Sequence, residues 1–301
     1  MSDMVQTLKN YVAPQPKAVL TKTQIPRLDI LRVSEPTKLF PEIYQPLVSL
    51  ILQGDKRLLI GHQVLDYAAG DTFIASVDLP ASAEVITASA ATPYLALRLT
   101  FDLAMVADLV RGDACAPAPM PDTRSFCVSP ASDALMDAWL RLLRLQEEPD
   151  AIPVMAPLLE REILFRLLRG PQGAVLRQAA SIDGDFARIR QALIWMRAHY
   201  AIPFRVEDLA HGAHMSASAF HRAFKASTGL SPLQYQKHLR LYDARRRLFA
   251  KPGDVASVAF AVGYESLSQF TREYARMFGA PPARDIKDLR ATTAPEFAAV
   301  A

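Results

Sequence analysis

The chain has 301 residues, half of them hydrophobic and 22% charged, which supports packed cores and excludes general disorder. Its apolar runs, such as LVSLIL and LLIG, are far too short to cross a bilayer, and the first 20 residues lack the basic-then-apolar order of a signal peptide. The net charge of +3 hides an asymmetry: residues 185–290 hold 17 of 34 Lys/Arg and 9 of 31 Asp/Glu, a balance of +8 against −5 elsewhere.

Along the chain, residues 1–22 show little periodicity and are expected to form an N-terminal arm. From Leu28 to Asp102 the pattern is that of strands: LVSLILQ, a Gly54-Asp55 turn, KRLLIG, HQVLDY, a Gly70-Asp71 turn and TFIASVDL, then AEVITAS and PYLALRLTF after Pro80. Short β-rich runs divided by Gly, Asp and Pro turns predict a β-sandwich or a small barrel. Residues 112–131 hold four prolines and are expected as a loop. Helices follow over Ser132–Gln146, Leu158–Leu168 and Gly173–Ser181, with Pro149 and Pro153 breaking the first from the second. That pair of longer helices suits either a cover for the β core or a dimer interface. A linker is expected at residues 179–184, and residues 291–301 form a tail.

Residues 185–290 carry the most informative pattern, a helix-turn-helix signature written twice. Phe220 and Phe270, Arg222 and Arg272, Phe224 and Tyr274, Gly229 and Gly279, and Pro232 and Pro282 match at an offset of 50. Upstream the offset is 49, pairing Leu209-Ala210 with Val258-Ala259, as one extra turn residue requires. An opening helix over Asp185–Tyr200 buries Phe186, Ile189, Ala192, Leu193 and Met196. In the first copy Ser216 suits an N-cap and Gly229 a terminator. At about 100° per residue, Ser218, His221, Arg222 and Lys225 share one face, opposite Phe220, Ala223 and Phe224. The second copy sets Ser268, Gln269, Arg272, Ala275 and Arg276 on one face and Phe270, Tyr274 and Phe278 on the other.

These side chains have the chemistry for DNA. Gln pairs with adenine and Arg with guanine in the major groove, while Arg276, farther from its helix N-terminus, suits phosphate. The local positive balance adds non-specific affinity. A long helix through YQKHLRLYDARRRLFA would space two reading helices about one DNA turn apart. Leu239, Leu241, Leu248 and Phe249 can pack there, and Arg240, Arg245, Arg246 and Arg247 are either backbone contacts or a solvated face.

This module resembles the DNA-binding domain of AraC/XylS-type transcription regulators, through DLA and SxSxFHRxFKxxTGxSPxxY in one copy and VAxxVGYxSxSxFTRxYxRxFGxxP in the other. One departure stands out. Where the family ends its second unit with Pro-x-x-aromatic-Arg, this chain has Pro282-Ala283-Arg284-Asp285-Ile286. The stretches PLVSLILQGDKRLLIG, YAAGDTFIASVDLPASAEVITAS, PYLALRLTFD and PVMAPLLEREILFRLLRGP resemble the sensor domain of one AraC subgroup. The resemblance implies an α+β chain: a cupin-like β-barrel with trailing helices over residues 23–178, used for sensing and dimerisation, and an all-α domain with two helix-turn-helix units over 185–290.

Catalysis is not expected. A cupin-type metal site needs two or three His and a carboxylate, yet His62 is alone in the β region; the other five histidines fall in the C-terminal module. No nucleophile elbow, Walker loop or dinucleotide fingerprint is present. The expectation is a cytoplasmic, DNA-binding transcription regulator without a cofactor, controlled by a small-molecule effector in the N-terminal domain. Its partners would be double-stranded DNA, the effector and a second copy of the chain, with RNA polymerase a further candidate. Two alternatives stay open: a metal-free scaffold whose helices contact a protein, and a redox- or electrophile-sensing regulator using Cys115 or Cys127. Two cysteines do not make a disulfide framework and fit a reducing compartment.

Overall fold

The computed structural model describes residues 3–16, 18–112, 124–181, 183–251 and 253–292; Cys115 falls outside them. The N-terminal region opens with α1 (Asp3–Val12) and continues through β1 (Leu20–Lys22), β2 (Leu28–Val33), β3 (Phe40–Tyr44), β4 (Leu47–Gln53) and β5 (Asp55–Ile60). After β6 (Gln63–Ala68), β7 (Asp71–Ala75), β8 (Leu79–Thr87) and β9 (Tyr94–Thr100) come α2 (Leu103–Gly112) and β10 (Phe126–Pro130). Three helices, α3 (Asp133–Arg144), α4 (Ile152–Arg169) and α5 (Gly173–Ala180), close this region.

The strands do not form a cupin-like barrel. They make two separate antiparallel sheets, one ordered β1-β2-β9-β4-β7-β10 and the other β3-β8-β5-β6. No strand belongs to both, so among the described residues the hydrogen-bond ladder never closes and each sheet keeps two edges. The expected order of a β region before a helical one is found, but the cupin-like barrel is not; two separate sheets take its place.

The packing explains why alternation along the strands was illegible. In β4, Val48, Leu50 and Leu52 face the helices, while Leu47 and Ile51 face the other sheet. The central strands are thus buried on both sides and read as continuous apolar runs. Helices α1 to α5 cover the outer face of the six-stranded sheet, with Trp139, Leu142 and Leu143 of α3 and Ile163 and Leu167 of α4 fully buried. Residues 3–12, expected to be part of an arm, instead form α1 and insert Val5, Leu8 and Val12 into that core. In α4 the helix starts before Pro153 because proline is tolerated in a first turn. Within the expected loop lies β10, whose partner is the distant β7.

The C-terminal region is helical: α6 (Asp185–His199), α7 (Val206–Gly212), α8 (Ala217–Thr228), α9 (Pro232–Ala250), α10 (Val255–Ala261), α11 (Leu267–Phe278) and α12 (Pro282–Thr292). The interval from the start of α7 to that of α8 is one residue shorter than from α10 to α11, the insertion that the shift in offset requires. Two cores form. One joins α6 to α9 around Phe220, Phe224 and Tyr235 and includes Val77 from the β region; the other joins α9 to α12 around Phe270, Tyr274 and Ile286.

Candidate nucleic-acid interface

Helices α8 and α11 are built alike. Ser216 caps α8 by accepting from the Ala219 amide at 3.3 Å, and Ser266 caps α11 by accepting from the Gln269 amide at 3.3 Å. Both helices stop at a glycine in the left-handed region, Gly229 at φ 74° and Gly279 at φ 81°, where a side chain would be strained. Phe220 and Phe270 are fully buried on matching sides. That packing turns the polar faces outward: Ser218, His221, Arg222 and Lys225 of α8 and Ser268, Gln269, Arg272 and Arg276 of α11 are all exposed. Each helix therefore brings its four expected residues together on one open face.

The two faces differ in what restrains them. On α11 the Gln269 amide approaches Glu273 at 3.5 Å, and Glu273 also accepts from Tyr264 at 2.9 Å and pairs with Lys237 at 3.2 Å. These partners hold the Glu273 carboxyl below its ordinary range despite partial burial. The network fixes α11 against α9 and gives Gln269 an anchored neighbour.

The arginines of α9 are spoken for. Arg240 donates to the carbonyls of Tyr200 and Ala201, and Arg246 and Arg247 both pair with Asp243 at 2.5 Å. Arg245 is buried and donates through Nε and Nη2 to both oxygens of Asp285, each at 2.9 Å. Asp285 also accepts from the Tyr274 hydroxyl at 2.8 Å. The residue that broke the motif is thus the acceptor of a buried ion pair, and Ile286 beside it enters the apolar core. Sequence reasoning missed this pair, although a lone acid in an aromatic position facing an arginine-rich helix was a usable signal.

The helical region sits directly on the sheets. Tyr235 donates to the Asp78 carbonyl at 2.9 Å, Tyr242 to the Ala81 carbonyl at 2.7 Å, and Arg197 pairs with Asp78. Ser125 donates to the Ser227 carbonyl through its amide at 3.2 Å and its hydroxyl at 2.6 Å. Gly61 and Gly229 meet so closely that a Cβ on Gly61 would run into the Gly229 carbonyl. A cavity of about 530 Å³ opens between the regions, with Phe40, Glu42 and Arg98 on the sheet side and Tyr200, Tyr242 and Arg245 on the helical side.

Sequence comparison settles the family. Residues 24–175 match the model of the AraC-type transcriptional regulator N-terminus, and residues 209–287 match a helix-turn-helix domain model. The chain belongs to the AraC-type transcriptional regulators. This AraC-type regulator is 31% identical over 153 residues to the transcriptional activator RhaS of Escherichia fergusonii, covering 50% of its own length and 53% of RhaS. It is 33% identical over 133 residues to RhaS of Citrobacter koseri, covering 43% and 46%. The chain spans about half the length of the curated relatives it matches. Among solved structures, ToxT of Vibrio cholerae O395 bound to (E)-4-(8-methylnaphthalen-1-yl)but-3-enoic acid superposes with a TM-score of 0.56 at 11% identity, over 87% of this chain and 98% of ToxT. Wild-type ToxT of strain SCE256 with an unsaturated fatty acid bound gives 0.53 at 10%, over 86% and 93%. At such identity the likeness establishes fold alone.

The AraC-type regulator thus pairs the family's N-terminal region with a helix-turn-helix domain, and the relatives it matches carry the name of transcriptional activators. Among its described residues no group of His, Cys, Asp and Glu has a metal-holding arrangement, and no helix is long and apolar enough to cross a membrane. Cys127 lies half-buried on β10 against the helical cover of the sheet.

Proposed function

We propose that α8 and α11 read two successive major-groove segments of one DNA site, and that a small molecule bound in the N-terminal region controls this reading. The observation that carries the first part is the duplicated exposed face: Ser218, His221, Arg222 and Lys225 on one capped helix, Ser268, Gln269, Arg272 and Arg276 on the other. The faces offer different donors, so the site read by one chain is asymmetric. Arg222 and Arg272 take the base-reading role and Arg276 a phosphate.

Support for an effector comes from the polar side chains between and beside the sheets. Glu42 and Arg98 line the cavity, and the buried hydroxyls of Tyr44 and Tyr67 lie among the polar side chains of Glu42 and Ser49. Burial pushes the Glu42 carboxyl up and the Lys56 ammonium down, the cost of charge held away from water. Bound acids in ToxT, a protein of similar fold, favour reading such a cavity as a small-molecule site. The chain would act as a dimer, with activation or repression set by which DNA halves the pair can hold.

Binding to a duplex selected from a random library tests the first part. Arg222→Ala and Arg272→Ala should each lose about 1–3 kcal/mol of discrimination at a few base pairs, in different halves of the site. Equal losses on selected and random duplex would make both residues phosphate contacts. For the second part, small-molecule titrations that never change DNA affinity would remove the effector.

A further inference from the structure

We infer that Arg245 and Asp285 are positioning residues for the α11 reading helix, and that Phe40 is the point where the β region acts on them. The inference rests on the reading that α11 contacts DNA. Asp285 replaces, at the matching offset, the aromatic that the first unit has as Tyr235. Tyr235 packs its ring on Phe224 at 5.5 Å and sends its hydroxyl to the β region. In the second unit the same position sends a carboxylate inward instead, to Arg245 of α9 and Tyr274 of α11. One buried group thereby joins α9, α11 and α12.

The guanidinium of Arg245 does more than neutralise Asp285. Its Cζ lies 4.5 Å from the ring centroid of Phe278, the last residue of α11, and 4.8 Å from that of Phe40, on the edge strand β3. Tyr242, one turn earlier on α9, meets Phe278 edge-on at 6.1 Å and donates to the Ala81 carbonyl of β8, the neighbour of β3. A cation between two rings is attracted to both faces, and the attraction strengthens when water is excluded. Arg245 is only 8% exposed, and its buried Nη1 has no hydrogen-bond partner among the described residues, beside the cavity that Phe40 also lines. A shift of β3 therefore changes the surroundings of the guanidinium that holds the C-terminal end of α11. The first reading helix is tied through Ser125, Ser227 and the Gly61–Gly229 approach, and β3 meets its core through Ile43 rather than Phe40, so a change at Phe40 itself acts on the second head.

The test uses the full chain and three duplexes: one selected from a random library, and two derivatives with either half scrambled. Arg272→Ala assigns the half read by α11. Phe40→Ala should weaken binding about threefold or more on the intact duplex and leave it unchanged where the α11 half is scrambled. Phe40→Tyr keeps the ring and should behave as wild type, whereas Phe40→Leu, apolar without the ring's charge distribution, should behave as Phe40→Ala. Hydrogen exchange without DNA gives a second readout: Phe40→Ala should speed exchange in α11 and α12 and not in α8. Unchanged or raised affinity, an effect equal on both scrambled duplexes, or exchange that rises equally in α8 overturns the inference. Should Arg272→Ala cost no discrimination, the DNA reading of α11 fails, while the exchange pattern still decides the coupling.

Discussion

The two helix-turn-helix units share a plan and differ in how they are attached. The first unit merges with the β region: Val77 is part of its core, Ile43 packs on it, and the amide and hydroxyl of Ser125 both donate to the Ser227 carbonyl. The second unit closes a core of its own around Phe270, Tyr274 and Ile286, and meets the sheets through Arg245, Phe278 and Tyr242. Apolar merging and a glycine–glycine approach resist sliding, because close-packed surfaces cannot deform continuously. A cation over two rings tolerates small shifts and passes them on. Duplication supplied two similar heads; each is attached to the β region by contacts of a different kind.

The largest expected effect breaks the second attachment. Asp285→Ala strands Arg245 as a buried, unpaired charge and should cost about 3–5 kcal/mol in thermal or denaturant unfolding. Asp285→Tyr, which restores the family's aromatic, should destabilise too, since the same cation loses its partner; a stabilised Asp285→Tyr protein would show that the pair is dispensable.

Next comes the first attachment. Gly61→Ala must hold φ near +60° and push against Gly229, so a loss of about 2–3 kcal/mol is expected. Hydrogen exchange should then rise at the end of α8 and stay unchanged in α11.

Acid should loosen what the heads have in common. His238 of α9 is partly buried, its Nδ1 has no partner among the described residues, and burial with Lys237 nearby holds its imidazole down at about 4 against an ordinary 6.5. The unfolded chain takes up a proton below about 6.5 while the folded chain waits until about 4. This contribution is thus complete above 6.5 and is lost as pH falls through that window, by about 2–3 kcal/mol once its partial exposure is allowed for. His238→Gln should flatten this part of a stability–pH curve; an unchanged slope would place the titration elsewhere.

The smallest effect separates the starts of α9 and α12. Ser231 and Gln234 form a reciprocal capping box at the head of α9, where the second copy has Pro281. Ser231→Ala should cost about 1 kcal/mol, read as a lowered unfolding midpoint.

Much of this was legible because helical hairpins are local. Caps at Ser216 and Ser266, stops at Gly229 and Gly279, and the outward faces of α8 and α11 follow from residues within one or two turns, and the structure places them so. The β region was legible only as strands. LVSLILQ shows no alternation because β4 is buried on both faces, and a pattern without alternation cannot say which strands pair or whether the sheets close. Likewise α1 and β10 are stabilised by partners far along the chain, so their own windows carried little signal.

By itself, then, the sequence determined the family, the duplicated helical module and the side chains each reading helix offers, since these depend on spacing along one helix. Tertiary structure alone decided that the sheets stay open and that Arg245 is a buried partner of Asp285 rather than a backbone contact. It also decided that Phe40, some 200 residues before Arg245 in the chain, touches the same guanidinium. Hydrogen-bond ladders and buried charge pairs join residues distant in sequence, and no local periodicity encodes which distant partner wins.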